Sequence, residues 1–169
     1  MEFRKATAAD TDMLVLLRLE MIREENQLGQ NAPLPADLSG LCRRYFLEGD
    51  QTTVIASDTG TIIACASLCF IEYLPSWSHP TGKRAHLMNV YTRPGFRGKG
   101  VASRLVRMLI DEARARQVTE ISLDTTGPGR NVYTTLGFQD SEECMVMLLS
   151  YDNNGGHGPE QSGGGRNVC

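Results

Sequence analysis

The chain is short of the features that would take it out of the ordinary globular class. No apolar stretch approaches the ~20 residues needed to cross a bilayer, and Met1-Glu2-Phe3-Arg4-Lys5 lacks the long apolar core of a signal peptide. These readings imply no membrane partner and, by default, a cytoplasmic location. Cysteines number five, an odd count with no C-x-x-C pair, so Cys42, Cys65, Cys69, Cys144 and Cys169 do not read as a disulfide framework. They are expected to be mostly reduced and buried as small apolar side chains. The histidines and cysteines lack metal-ligand spacing, and no metal is implied. A net charge of −3 argues against a general nucleic-acid binder. No repeats are visible, and 169 residues amount to one domain.

What is present is concentrated around one turn. Leu87-Met88-Asn89-Val90-Tyr91-Thr92 is apolar and β-favouring, and Arg93-Pro94-Gly95 breaks it. After Arg97-Gly98-Lys99-Gly100, residues Val101, Leu105, Met108, Leu109 and Ala113 recur at helical spacing, with Arg104, Arg107, Asp111 and Arg114 off that stripe. The glycines therefore fall at a helix N-terminus, where unpaired N–H groups and the helix dipole favour an anion. Without a Cβ, Gly98 and Gly100 let a ligand approach the main chain. Between residues 83 and 116, Lys83, Arg84, Arg93, Arg97, Lys99, Arg104, Arg107, Arg114 and Arg116 face only Asp111 and Glu112. The site is locally basic, although Arg114 and Arg116 read as solvated helix charges. A Walker A loop would need Lys-Ser or Lys-Thr after Gly100, where Val101-Ala102 stand. A dinucleotide fingerprint would need glycine at Ser103 and a parallel βαβ unit opened by the first strand.

The pattern that fits is Arg-x-x-Gly-x-Ala, and with it the chain resembles the GCN5-related N-acetyltransferase (GNAT) superfamily. The resemblance rests on Asn89-Val90-Tyr91-Thr92, on Arg93 through Ala102, and on Val132-Tyr133-Thr134-Thr135-Leu136-Gly137-Phe138, in that order. It spans roughly residues 2 to 150, with its specific part in 85 to 138. It implies an acetyl-CoA co-substrate lying along Asn89, Val90, Tyr91 and Thr92, with its pyrophosphate on Arg97, Gly98, Lys99, Gly100, Val101, Ala102 and Ser103. Tyr133 would lie near the sulfur, and Asn131 would either hydrogen-bond the pantetheine arm or cap the short helix. Arg130 reads equally as a phosphate contact and as part of a surface turn. The implied fold is a mixed α/β domain over 1–151: a twisted, mostly antiparallel sheet of about six to seven strands with helices on both faces. Residues 152–169, rich in glycine and poor in apolar side chains, are expected to form a disordered tail.

The rest of the chain reads consistently with that fold. Glu2 to Ala6 is strand-like, and Thr7-Ala8-Ala9-Asp10 is a capping-box variant opening a helix from about Ala8 to Glu25, with Leu14, Leu17, Met21 and Ile22 on its apolar face. Gly29, Pro33 and Pro35 mark a loop before a helix carrying Leu38, Leu41, Cys42, Tyr45 and Phe46. In the resembled family this helix-loop-helix is variable and helps to form the acceptor site. Thr52–Ser57 and Thr61–Phe70, joined by Asp58-Thr59-Gly60, read as an antiparallel hairpin. A loop with Trp77 and His79 follows, framed by Pro75, Pro80 and Gly82. Glu120–Thr125 reads as a buried strand, Asn131–Thr135 as a short helix and Cys144–Leu149 as a final strand.

Acyl transfer to an amine sets three chemical requirements. An amine of pKa near ~10 must lose a proton before it attacks, the carbonyl oxygen needs a hydrogen-bond donor as it gains charge, and the thiolate needs a proton. Backbone N–H groups of Val90-Tyr91-Thr92 meet the second requirement if the strands splay there, as the resemblance implies. Tyr133 is the candidate for the third, because a phenol of pKa ~10 stays protonated at rest. For the base, Glu72 is the first candidate, His79 and His86 are alternatives, and ordered water is a fourth. Cys65 or Cys69 as an acylated nucleophile is disfavoured, because no cationic partner is indicated. The function implied is N-acetyl transfer by direct attack in a ternary complex, on a small-molecule amine or a peptide. The alternative is a non-catalytic acyl-CoA sensor. Glu20, Glu24, Glu25 and Asp37, near the expected acceptor side, read either as attracting a cationic amine or as ordinary helix-surface acids, and the resemblance allows a homodimer.

Overall fold

The computed structural model describes residues 1–125, 127–141, 145–147 and 149. Nine elements form in the order β1 (Glu2–Lys5), α1 (Thr11–Glu25), α2 (Leu38–Glu48), β2 (Gln51–Asp58), β3 (Thr61–Glu72), β4 (Lys83–Thr92), α3 (Val101–Ala115), β5 (Glu120–Leu123) and α4 (Gly127–Thr135), with 3-10 turns at Ala8–Asp10 and Pro94–Phe96. The strands lie side by side in chain order, antiparallel except for the parallel pair β4 and β5. A parallel neighbour requires a crossover, and α3 provides it.

Two cores divide the sheet's faces. On one, Val101, Leu105, Val106, Leu109 and Ala113 of α3 meet Val54, Ala56, Ile63, Ala64, Ala66, Leu68, Ala85 and Leu87, with Tyr133 and Phe138 packed at the margin. On the other, Leu14 and Leu17 of α1 meet Ile55, Ile62, Cys65 and Tyr91, with Phe46 of α2 against them. The expected stripe on α3 is thus the buried one. The α1 face is less complete, since Met21 and Ile22 are only half-buried and α2 buries no residue fully.

The β2–β3 hairpin closes through Thr59 and Gly60, at φ 48° and 82°. Two successive positive φ values give the turn a twist that matches the strands; Gly60 adopts its value freely, whereas the β-branched Thr59 does so at a cost. At the start of α1 the Asp10 carboxylate accepts hydrogen bonds from Thr7 N (2.8 Å) and Thr7 Oγ1 (3.0 Å), as the capping reading requires. It also takes a two-pronged bond from Arg4 at 2.7 and 2.8 Å, tying β1 to the helix.

Some expectations are corrected. The sheet has five strands among the described residues rather than six or seven. The expected final strand, Cys144–Leu149, falls partly outside them, and Met145, Val146, Met147 and Leu149 are exposed and not in a strand. β5 is shorter than expected and only half-buried, being the outermost strand among the described residues. α4 begins at Gly127, so Arg130 lies within a helix, paired with Asp140, rather than in a surface turn. The tail expected at 152–169 lies outside the described residues.

Hydrogen bonds from Arg4 and Thr7 hold the Asp10 carboxyl well below the usual carboxylate range. A carboxylate of depressed pKa stabilises the fold above its unfolded value of about 3.9, and loses that contribution as pH falls through the folded value. Asp10→Asn should therefore lower stability at pH 7 by roughly 1–3 kcal/mol. The gap to wild type should narrow below about pH 4, as read by urea denaturation at a series of pH values.

Candidate active site

The loop between β4 and α3 is built to leave donors free. Gly98 and Gly100 have φ of 71° and 74°, the left-handed region in which other side chains are strained. A Cβ added at either would meet nothing within 4 Å, so the space beside the loop is open. Gly100 is the N-cap of α3 and makes no side-chain cap bond, and the first intrahelical bond there runs from Arg104 N to Gly100 O at 3.1 Å. The N–H groups of Val101, Ala102 and Ser103 therefore have no partner within the helix, and the dipole's positive end adds to them. That donor set and the cleared space fit a diphosphate.

Arg97 is turned to another task. Its Nε donates to Thr92 O at 2.7 Å, and its guanidinium pairs with Glu24 of α1 at 2.6 Å. Four residues earlier, Arg93 donates to Glu20 at 2.8 and 3.0 Å and to Ile62 O at 3.2 Å. Tyr91 Oη completes the clasp, donating to Glu24 at 3.3 Å. Arg97 holds the Glu24 carboxyl below its ordinary range, and Glu24 raises the guanidinium in return. The expectation that Glu20 and Glu24 attract a cationic amine is thereby corrected, since both already neutralise arginines. Lys99 curls back to Gly95 O at 3.1 Å, over the Phe96 ring.

β4 is broken where the thioester is expected. Cys65 of β3 stands opposite Tyr91 and Ser67 opposite Met88, so Asn89 and Val90 together face the single residue Ala66. This is a β-bulge, and Asn89 sits in it at φ 55° with 8% of its surface exposed. On the other edge, β4 pairs with β5 only from Arg84 to Leu87. From Met88 to Thr92 that edge has no strand partner among the described residues, although Asn89 O accepts from Cys65 Sγ and Thr92 O from Arg97.

Tyr133 approaches from the α3 side. Val90, Phe96, Leu123 and Tyr133 all pack against the same core, and the Tyr133 ring meets Phe138 edge-to-face at 5.9 Å. Its hydroxyl has no hydrogen-bond partner among the described residues, and burial raises its pKa, so the proton stays on at neutral pH. Asn131 is exposed on α4, where its carbonyl accepts from Thr135 Oγ1 at 2.7 Å.

The three base candidates separate cleanly. Glu72 pairs with Lys83, while Tyr91 pairs with Cys65, seven residues back along β3. At 3.3 Å per residue that is about 23 Å, so the structure does not bring Glu72 to the thioester segment. It lines a cleft of about 300 Å³ at the far end of the sheet, with Lys83, Arg84 and Arg116. His79 is fixed at the foot of the β3–β4 loop by Thr119 (3.0 Å) and Glu120 (3.4 Å). His86 lies on β4 itself. Its neighbours Ala85 and Leu87 are buried on the α3 side, so alternation turns it toward the α1 side. There its Nδ1 meets Ser122 Oγ at 2.9 Å, and its Nε2 stands 3.7 Å from Asp124.

Three features escaped the sequence reading: the α1 clasp, the Ser122–His86–Asp124 row and the left-handed Asn89. Only the first leaves a sequence signal, in Glu20 and Glu24 spaced like Arg93 and Arg97.

The sequence matches the family model described as the Acetyltransferase (GNAT) family over residues 18–138. Among solved structures, a predicted acetyltransferase with acetyl-CoA from Clostridium acetobutylicum is 30% identical, with a TM-score of 0.76 over 88% of this chain and 96% of that one. A GCN5-related N-acetyltransferase from Ralstonia eutropha JMP134 is 25% identical, with a TM-score of 0.73 over 87% of this chain and 97% of the other. Glucosamine-6-phosphate N-acetyltransferase from Arabidopsis thaliana shares the fold at 17% identity, with a TM-score of 0.64 over 88% and 98%. Among curated proteins no significant match to the sequence was found.

The geometry rules out Cys65 as the acylated nucleophile. Cys65 has no exposed surface, its Sγ donates to Asn89 O at 3.6 Å, and burial pushes its pKa up to about 12. A neutral, enclosed thiol is not a nucleophile. Iodoacetamide at pH 7.5 should leave Cys65 unmodified in the folded protein and alkylate it after unfolding, as read by peptide mass spectrometry.

Proposed function

The chain belongs to the acetyltransferase (GNAT) family and is an acetyl-CoA-dependent N-acetyltransferase, and we propose that it acts by direct attack of a primary amine on the thioester in a ternary complex. One observation carries this reading: uncapped amides at the start of α3 adjoin the stretch of β4 that has lost its β5 partner. The α3 amides suit the diphosphate, and the open edge from Met88 to Thr92 suits the amide-containing pantetheine arm and the thioester carbonyl.

The residues then divide the chemistry by face of the sheet. The amine enters from the α1 side, where His86 lies three residues before Asn89, about 10 Å along the strand, so that a proton reaches it only through a chain of several waters. Its nitrogen forms the new bond to the acetyl carbon while main-chain N–H groups at the bulge hold the carbonyl oxygen. The C–S bond breaks, and Tyr133, on the α3 side, donates its phenolic proton to the thiolate. The proton released by the amine passes through water to His86, and the phenol is reprotonated from solvent. The acceptor is a small-molecule amine or a peptide.

Two variants test the reading. Gly100→Glu places bulk and negative charge in the open space beside the α3 amides, and should weaken acetyl-CoA binding at least tenfold by calorimetry, with the circular dichroism spectrum retained. Tyr133→Phe should lower kcat roughly 10²–10⁴-fold, the usual contribution of a positioned acid. Its coenzyme affinity should stay unchanged. Tight coenzyme binding without thiol release to any amine would favour the sensor reading instead.

A further inference from the structure

We propose that the side-chain oxygen of Asn89 is the hydrogen-bond acceptor that orients the attacking amine, so that Asn89 shapes the bulge and also positions the nucleophile. This rests on the acetyltransferase reading of the site. Asparagine is several-fold enriched at positive φ, and its backbone at 55° accounts for the residue's place in the bulge without any role for its side chain. The side chain nevertheless carries an unmet requirement. Asn89 is 8% exposed, its Nδ2 donates to Cys65 Sγ at 3.5 Å, and its Oδ1 is buried with no hydrogen-bond partner. A buried amide oxygen without a donor is costly, and native proteins retain few of them. The partner it lacks is an N–H or O–H donor.

Position says which donor. Cys65, which the Asn89 amide touches, belongs to the α1-side core, whereas Tyr133 packs on the α3 side. The two groups thus flank the open edge of β4 from opposite faces, one on the side from which the amine adds to the carbonyl and the other on the side where the sulfur leaves as the tetrahedral adduct collapses. A neutral primary amine attacks with its lone pair and keeps two N–H bonds. One of them given to Oδ1 fixes the direction of the lone pair. A carboxamide does not take up the proton, so Asn89 is a positioning residue and the proton still leaves through water. Net, the amine and the thioester become an N-acetyl amide and a free thiol.

Asn89→Gly separates the two roles, because glycine adopts the left-handed backbone freely and has no side-chain oxygen. Asn89→Asp keeps an acceptor oxygen and the tolerance for positive φ. The assay is thiol release from acetyl-CoA with ethanolamine, tyramine, glucosamine and an alanyl tripeptide, beside calorimetry with acetyl-CoA alone. With the fastest of these amines, Asn89→Gly should lower kcat/KM at least tenfold while acetyl-CoA affinity stays within threefold of wild type. Asn89→Asp should regain part of that loss. It should also move the acidic limb of the pH–rate profile to higher pH, because a carboxylate beside the amine favours its protonated form. Asn89→Gly with wild-type kcat/KM would overturn the proposal, leaving a purely structural Asn89. Weakened acetyl-CoA binding in Asn89→Gly would also overturn it, since the missing donor would then be an N–H of the pantetheine arm. An Asn89→Asp profile unmoved from wild type would count against it even if the glycine variant failed to fold. If the wild type neither bound acetyl-CoA nor released thiol to any of these amines, the acetyltransferase reading itself would fall, and Asn89's role with it.

Discussion

The parting of β4 from β5 after Leu87 is the constraint on which the site depends. A parallel pair that continued to Thr92 would satisfy its own main-chain groups and leave nothing for a ligand to bond. The bulge at Asn89 and Val90 disturbs the same stretch from the other side, where the register against β3 slips past Ala66. A strand that is regular up to Leu87 and broken beyond it keeps its place in the sheet while exposing polar edge at one end. The glycine loop and the start of α3 follow within a few residues. The covalent chain therefore delivers the amides proposed to bind the diphosphate next to the opened edge.

Such a loop, exposed and rich in glycine, would be soft without support, and the support comes from α1. Glu20 and Glu24 reach Arg93 and Arg97 on either side of the Pro94–Phe96 turn, and Arg97 also ties back to Thr92 O. Side chains here remain partly exposed, so each pair contributes modestly to stability. Their effect is geometric: two rigid elements fix the orientation of a loop whose backbone amides must point at a ligand. Arg97 thus holds the frame of the loop proposed to bind the coenzyme, a role that its place in the Arg-x-x-Gly-x-Ala pattern does not reveal. The clasp also links α1 to the loop between β4 and α3.

Much of this was legible from residue order. The Asp-Thr-Gly hairpin, the capping of α1 by Asp10, the apolar stripe of α3 and the paired glycines at its start are all set by neighbours a few positions apart. Other readings failed for a common reason. The sequence puts Glu72 just past an apolar strand, near the chemistry, but antiparallel pairing carries it to the end of the sheet away from Tyr91. Nothing local to Glu20 and Glu24 reveals that their partners are arginines some seventy residues later.

The sequence by itself determined where the chain turns, which helix faces are apolar, and that an anion-binding helix start follows a strand carrying Asn89 to Thr92. These properties arise from backbone preferences and side-chain periodicity, which act over a turn or two of helix or a few residues of strand. Only the tertiary structure decided that β4 parts from β5 after Leu87, that Asn89 takes a left-handed backbone with its amide oxygen buried and unpartnered, and that Tyr133 and His86 lie on opposite faces of the sheet. Register and facing are outcomes of packing two cores against one sheet at once. They depend on contacts between residues far apart in the chain, which no local pattern specifies.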